Sequence, residues 1–155
     1  IETLRYASLL HDTGKVDIPS EILTKTAKLT PEEYDIIKKH PVKGAEILRP
    51  LQILRPAIPI ILHHHDKYDG SGYYKAASND IPLGARIIAV ADVYDALTTD
   101  RPYRKAFSTM KARQEIIDNS GSHFDPKIVT AFCDIFPYLE TENQFASSKL
   151  LELNH

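Results

Sequence analysis

Three histidines stand side by side in His63-His64-His65, directly after the apolar run Ile58-Pro59-Ile60-Ile61-Leu62. The chain has only 7 histidines, so this grouping asks for a chemical reason. His11 and Asp12 likewise close an apolar stretch, Leu9-Leu10, and lead into Gly14 and Lys15. His40 stands just before Pro41, and Asp92 is embedded in Ile87-Ile88-Ala89-Val90-Ala91-Asp92-Val93-Tyr94. A lone carboxylate buried among such neighbours is costly or forced neutral, and a metal or cationic partner removes that cost. Asp95, three residues on along the same helical face, is placed to orient a ligand imidazole. Each residue taken alone also has an ordinary alternative: a buried His with a capping Asp, an Asp92–Arg86 ion pair, a polar helix end at His40. Taken together they offer imidazole and carboxylate ligands without sulfur, a set suited to Fe, Mn, Zn, Co or Ni rather than Ca or Mg.

Cations are placed beside these groups. Lys15 lies three residues after Asp12, and Arg101 and Arg104 fall in Asp100-Arg101-Pro102-Tyr103-Arg104-Lys105. A metal cluster flanked by one Lys and two Arg makes a site for a phosphate ester. The net charge of −2 gives no global pull towards a nucleic acid polymer or an anionic membrane, so an anionic ligand must be caught locally. Cys133 is the single cysteine, which excludes an intramolecular disulfide and argues against a thiolate metal site. The most apolar stretch, Leu51 to Leu62, is broken by Arg55, Pro56 and Pro59 and is far shorter than the ~20 residues of a membrane span. No signal peptide is visible, and a cytoplasmic protein without membrane contact through this segment is expected.

The elements that must position these residues are helices. Leu4, Ala7, Leu9 and Leu10 share a helical face that stops near Gly14. Thr30-Pro31-Glu32-Glu33 reads as an N-cap with a capping box. Short helices are expected from Pro41 to Pro50 and from about Ala57 to Asp66. A loop rich in Gly, Asn, Asp and Ser spans Tyr68 to Pro82. A long helix is expected over Leu83–Thr98, broken by Arg101-Pro102. A further helix runs from a Ser108 cap to Gly121, and a last one from Asp125-Pro126 to Pro137. No segment shows sustained period-two alternation. The expectation is an all-α bundle of about seven helices in one domain, able to bury roughly 70% of its extended surface. The opening Ile1-Glu2-Thr3-Leu4 already reads as mid-helix, so the chain is expected to be part of a longer protein.

The segments LLHDTGKVDIP, HHHDKYDGSGYY and ARIIAVADVYDALTTDRPYRKAFS resemble the HD-GYP family of HD-domain metal-dependent phosphohydrolases. KLTPEEYDIIKKHPVKGAEIL and GSHFDPKIVTAF match the family's intervening and following helices, so the resemblance runs from about Leu9 to Phe132. It implies an HD-domain-like helical fold over residues 1–137, with 138–155 as the tail of the same domain. It also implies hydrolysis of cyclic di-GMP to linear pGpG or GMP, in the output domain of a bacterial signalling protein. Two or three divalent ions, iron or manganese first and Zn, Ni or Co as alternatives, would be held by His11, Asp12, His40, His64, His65 and Asp92. Asp12 and Lys15 would be catalytic. Lys15, Arg101, Arg104 and the loop residues Asp69, Gly70, Gly72 and Tyr73 would contact substrate. His63 falls one residue before the matching histidine pair and reads as a neighbour. An upstream sensory region, and a GGDEF-type or other protein partner at the Gly72-Tyr73 loop, are the implied partners.

The sequence departs from the family at three places. The family supplies a further histidine, and in trinuclear members a glutamate, from a helix some thirty residues before the His-Asp pair. Only ten residues precede His11 here, and none is a histidine. The signature Gly-Tyr-Pro reads Gly72-Tyr73-Tyr74, which removes a proline that would stiffen the loop. Asp66 stands where the family has a glutamate, one methylene longer.

Overall fold

The protein is described by a computed structural model covering residues 1–101 and 104–152, with side chains through Thr141. Among the described residues there is no β-strand. The chain forms α1 (Glu2–Leu10), the single turn α2 (Ser20–Leu23), α3 (Pro31–Ile37), α4 (His40–Leu48), α5 (Ile58–His63), α6 (Leu83–Thr98), α7 (Thr109–Asp118) and α8 (Pro126–Glu152). Short 3₁₀ turns at Thr13–Asp17 and Gln52–Ala57 connect them. With α2 set aside as one turn, seven helices remain among the described residues, as the sequence leads one to expect.

The caps show why several helices begin where they do. The Thr30 hydroxyl accepts the Glu33 N–H at 3.3 Å, and the Glu33 carboxylate accepts the Thr30 N–H at 2.7 Å. This reciprocal pair satisfies two donors that a helix start leaves without partners. Ser108 accepts the Lys111 N–H at 3.3 Å at the start of α7. Asp125 accepts the Lys127 N–H at 2.8 Å and also receives Arg86 Nη1 at 2.6 Å. Arg86 therefore ties α6 to the start of α8 and is not the partner of Asp92.

Two apolar clusters hold the helices. The first joins Ala7 of α1, Leu48 of α4, Ile60 and Ile61 of α5, and Ala85 and Ile88 of α6. The second joins Ala89 and Val90 of α6, Ile116 of α7, and Phe132 and Phe136 of α8. Helix α6 thus has one half in each. In the first cluster α4 lies directly on the Thr13–Asp17 turn. A Cβ on Gly14 would stand 1.9 Å from the His40 carbonyl and 2.5 Å from the Gly44 nitrogen. Gly14 is thus more than a helix stop, because only a residue without a side chain lets His40 approach the His11-Asp12 corner this closely.

One expectation needs correction. Pro137 does not end the last helix, because α8 continues to Glu152. A mid-helix proline costs roughly 3 kcal/mol. Contacts on both sides offset it: Phe136 is buried, Leu139 packs on the second cluster, and Thr109 donates to Glu140 at 2.8 Å. The residues expected to form a C-terminal tail are helical as far as Glu152, and 153–155 lie outside the described residues. At the other break, α6 ends at Thr98, and Pro102 also lies outside the described residues.

Candidate metal centre

The six residues expected to bind metal converge from the end of α1, the start of α4, the end of α5 and the middle of α6. One ligand atom each from Asp12, His40, His64 and His65 can be chosen so that all lie within 4.8 Å of one another. His11 Nε2 is 3.6 Å from Asp12 Oδ2 and 3.9 Å from Asp92 Oδ1, and its ring centroid is 5.0 Å from that of His64. His40 and His64 are buried, each 1% exposed.

A shared local device aims the imidazoles. The Nδ1 atoms of His11, His40 and His64 each lie 2.6–2.8 Å from the carbonyl three residues earlier, those of Ser8, Ile37 and Ile61. A carbonyl only accepts, so each Nδ1 carries the proton, and in the neutral ring Nε2 carries a lone pair. His40 Nε2 and His64 Nε2 then face each other at 3.2 Å with no proton between them. Asp12 Oδ1 is buried without a hydrogen-bond partner, 3.4 Å from His40 Nε2. Facing lone pairs and an orphaned carboxylate oxygen are unfavourable in a bare site, and a divalent cation between them removes both costs. The donor set fits a transition-metal ion.

Burial sets the electrostatics. It lowers the pKa of His40, takes His64 down to about 4 and His65 down to about 2, so these rings are neutral and able to ligate at neutral pH. The two carboxylates are pushed apart. Burial raises Asp92, whereas for Asp12 the same effect is outweighed by the hydrogen bond and charge of Lys15, whose Nζ is 2.6 Å from Oδ2.

Beside the cluster lies a cavity of about 550 Å³, bordered by His40, His65, Asp92 and Tyr73, with Lys15 and Arg101 on its rim. Its far wall comes from residues 22–29, with Ile22, Leu23 and Leu29 apolar and Lys25 and Lys28 cationic. The sequence reading missed this wall. No motif marks it, and the only signal is two lysines within the short run Leu23–Leu29. Lys25 is also held by Glu33 at 2.6 Å.

The remaining expected residues divide. Arg104 turns away from the cavity: its Nη2 donates to the Ala96 carbonyl at 2.6 Å, and its guanidinium covers the Phe107 ring at 4.5 Å. Asp69 accepts the Ser71 N–H at 2.8 Å, and Gly70 takes a left-handed φ of 81°. Both shape the loop, as does Gly72, whose absent Cβ would stand 2.4 Å from the Lys67 nitrogen. Tyr73 reaches the site, its ring 4.8 Å from that of His65. Asp95 is exposed and, among the described residues, hydrogen-bonds to no imidazole. His63 stands outside the cluster, its Nδ1 2.7 Å from Asp66 Oδ2.

These features define a helical protein whose helix ends, with the middle of α6, bring histidines and aspartates into a single pocket able to hold metal. A family model described as "HD domain" matches residues 1–128, and the chain belongs to that family, in its HD-GYP branch. It is 46% identical over 140 residues to a cyclic di-GMP phosphodiesterase of Vibrio cholerae, covering 85% of this chain and 28% of the relative. It is 42% identical over 131 residues to 3'3'-cGAMP-specific phosphodiesterase 2 of the same organism, covering 83% and 25%. Among solved structures it resembles Bd1817, an HDG"Y"P protein from Bdellovibrio bacteriovorus, with a TM-score of 0.67 at 25% identity, covering 87% of this chain and 43% of that one. The chain spans about a quarter of the length of these curated relatives. Among the described residues no helix is long and apolar enough to cross a membrane.

Proposed function

We propose that this domain is a metal-dependent phosphodiesterase that opens cyclic di-GMP to linear pGpG, and in part to GMP, as the output domain of a longer signalling protein. The observation that carries this reading is the pair of facing Nε2 atoms of His40 and His64 beside the orphaned Asp12 oxygen, next to a cavity lined by His40, His65, Lys15 and Arg101. His11, Asp12, His40, His64, His65 and Asp92 would hold two or three divalent ions, iron or manganese, which when bound supply Lewis acidity towards the phosphodiester.

The chain's own side chains account for the rest. Arg101 draws a phosphate against the cluster. The apolar wall at Ile22, Leu23 and Leu29 offers a face to a base. As water adds to phosphorus, the P–O3′ bond breaks and the departing oxygen takes up a proton. Lys15, anchored on Asp12, stands where it can supply that proton or a compensating positive charge.

The near-equal similarity to a 3'3'-cGAMP-specific relative supports a second reading, the same chemistry on the mixed cyclic dinucleotide. The test is incubation of the intact protein with Mn²⁺ or Fe²⁺ and each cyclic dinucleotide, with products separated by chromatography. Turnover of cyclic di-GMP that Asp12→Ala abolishes is expected. Turnover of the mixed dinucleotide alone selects the second reading. Binding without products, with metal present, overturns both.

A further inference from the structure

The two internal departures from the family pattern, Asp66 and Tyr74, meet in one hydrogen bond. Tyr74 donates its backbone N–H to Asp66 Oδ1 at 2.8 Å. Asp66 is 4% exposed, and its other oxygen lies 2.7 Å from His63 Nδ1. The carboxylate is thus satisfied on both sides, as a buried carboxylate must be. The Tyr74 hydroxyl also donates to the Lys38 carbonyl at 2.9 Å. Lys38 caps the end of α3, where a carbonyl lacks a helical partner. One residue therefore fastens the loop at both edges, to the segment after α5 and to the junction of α3 and α4.

What lies between those edges is the wall of the site. Tyr73 packs 4.8 Å from His65 and 6.0 Å from Tyr34, ring to ring. The loop is drawn tight: Gly72 leaves no room for a Cβ against Asp66 Cα at 2.5 Å, and Lys75 is held at a left-handed φ of 53°. A non-glycine residue keeps that conformation only where its surroundings impose it. A proline at position 74 would set one dihedral angle but has neither an N–H for Asp66 nor a phenol for Lys38.

We propose that Tyr74 is a positioning residue of this site. It latches the 66–75 loop through Asp66 and Lys38, and so keeps Tyr73 against His65 at the cavity edge. This chain obtains by two hydrogen bonds a loop restraint that a proline at position 74 could supply only through its own fixed dihedral angle. Restoring the signature proline therefore damages the protein.

The catalytic consequence rests on the phosphodiesterase reading; the latch itself does not. The test compares Tyr74→Pro, Tyr74→Phe, Asp66→Glu and the Asp66→Glu/Tyr74→Pro double variant in the intact protein. Thermal unfolding, amide hydrogen exchange over 66–75 and steady-state kinetics are measured for each. Tyr74→Pro is expected to lower Tm by about 3–8 °C, and Tyr74→Phe, which loses only the Lys38 bond, by roughly 1–3 °C. Both speed exchange in the loop. KM rises several-fold, more for Tyr74→Pro, while kcat stays within about twofold, a split that general destabilisation does not produce. The double variant loses less than the sum of its singles, because Tyr74→Pro has already removed the bond whose acceptor Asp66→Glu displaces. A Tyr74→Pro protein as stable as the parent, or additive losses, overturns the latch. If Tyr74→Pro fails to fold, unchanged exchange and KM in Tyr74→Phe overturn it equally. Should the parent show no turnover, the phosphodiesterase reading fails, while Tm and exchange still decide the latch.

Discussion

The two apolar clusters of this domain are built from different side chains, and the difference explains where the polar cluster forms. The first is aliphatic and small: Ala7, Ala57 and Ala85 are each at most 1% exposed among leucines and isoleucines. Small residues let helices approach closely, and Gly14 against the His40 carbonyl is the extreme case. The ends of α1 and α5 and the start of α4 can therefore meet, and each brings a histidine whose Nδ1 is fixed by the carbonyl three residues earlier, which for His40 is the last residue of α3. The second cluster is aromatic: Tyr94, Phe132 and Phe136 stack edge to face at 5.3–6.2 Å. Such rings fill space but hold backbones apart, and of the candidate ligands only Asp92, on the helix common to both, comes from that side. One half arranges ligands; the other props up the helix that closes the pocket.

The largest expected effect separates these roles. His64→Gln should cost far more than the about 100-fold in turnover that losing an outer partner of a ligand costs, with bound metal falling in elemental analysis. Its metal-free Tm should change little. Phe132→Ala should do the reverse: about 3–5 kcal/mol of stability lost to a cavity, with metal stoichiometry unchanged. If Phe132→Ala sheds the metal at a temperature where it is folded, the division of labour is wrong.

How legible each half was in the sequence follows from how local its physics is. A histidine at the end of an apolar helix bonds the carbonyl three residues back, so its aim is a property of the segment itself. His11 and His64 follow apolar runs and could be picked out for that reason, whereas His40 opens α4 and bonds back to the last residue of α3. Caps such as Thr30 and Ser108 are local in the same way. What was hidden depends on contacts far along the chain. Asp66 meets Tyr74 only because the loop folds back across Gly72. Pro137 stays helical only because Leu139 and Glu140 are held by α6 and α7. Arg86 finds Asp125, 39 residues away, rather than Asp92 on its own helix.

A smaller effect is in the pH dependence of the metal-free protein. Burial lowers the pKa of His40, His64 and His65 in the first half, and of His123 alone on the other side. For a base whose pKa is lowered by folding, the unfolded chain takes up the proton first as pH falls. Stability is therefore complete above about pH 6.5 and is lost below it, through about pH 4 for His64. The slope approaches roughly 1.4 kcal/mol per pH unit for each such histidine. Denaturant midpoints measured from pH 7.5 to 5 should show this loss, and His64→Gln should flatten it. An unchanged slope would mean that His64 is not protected from protons by burial.

The smallest effect distinguishes two arginines three residues apart. Arg101 lies at the cavity rim near Asp92, with no acidic partner among the described residues. Arg104 spends its guanidinium on the carbonyls of Ala96 and Leu97, at the end of α6 where the helix dipole favours a cation. Arg101→Ala should raise KM about tenfold, the worth of one charge-assisted phosphate contact, and leave Tm nearly unchanged. Arg104→Ala should lower Tm by about 2–4 °C, near 1 kcal/mol for a domain of this size, with KM within about twofold. Steady-state kinetics and thermal unfolding on the same two proteins decide it. Were Arg104→Ala to raise KM as much as Arg101→Ala at unchanged Tm, the end of α6 would have to open on substrate binding, and the cavity would extend further into the aromatic half than the present geometry allows.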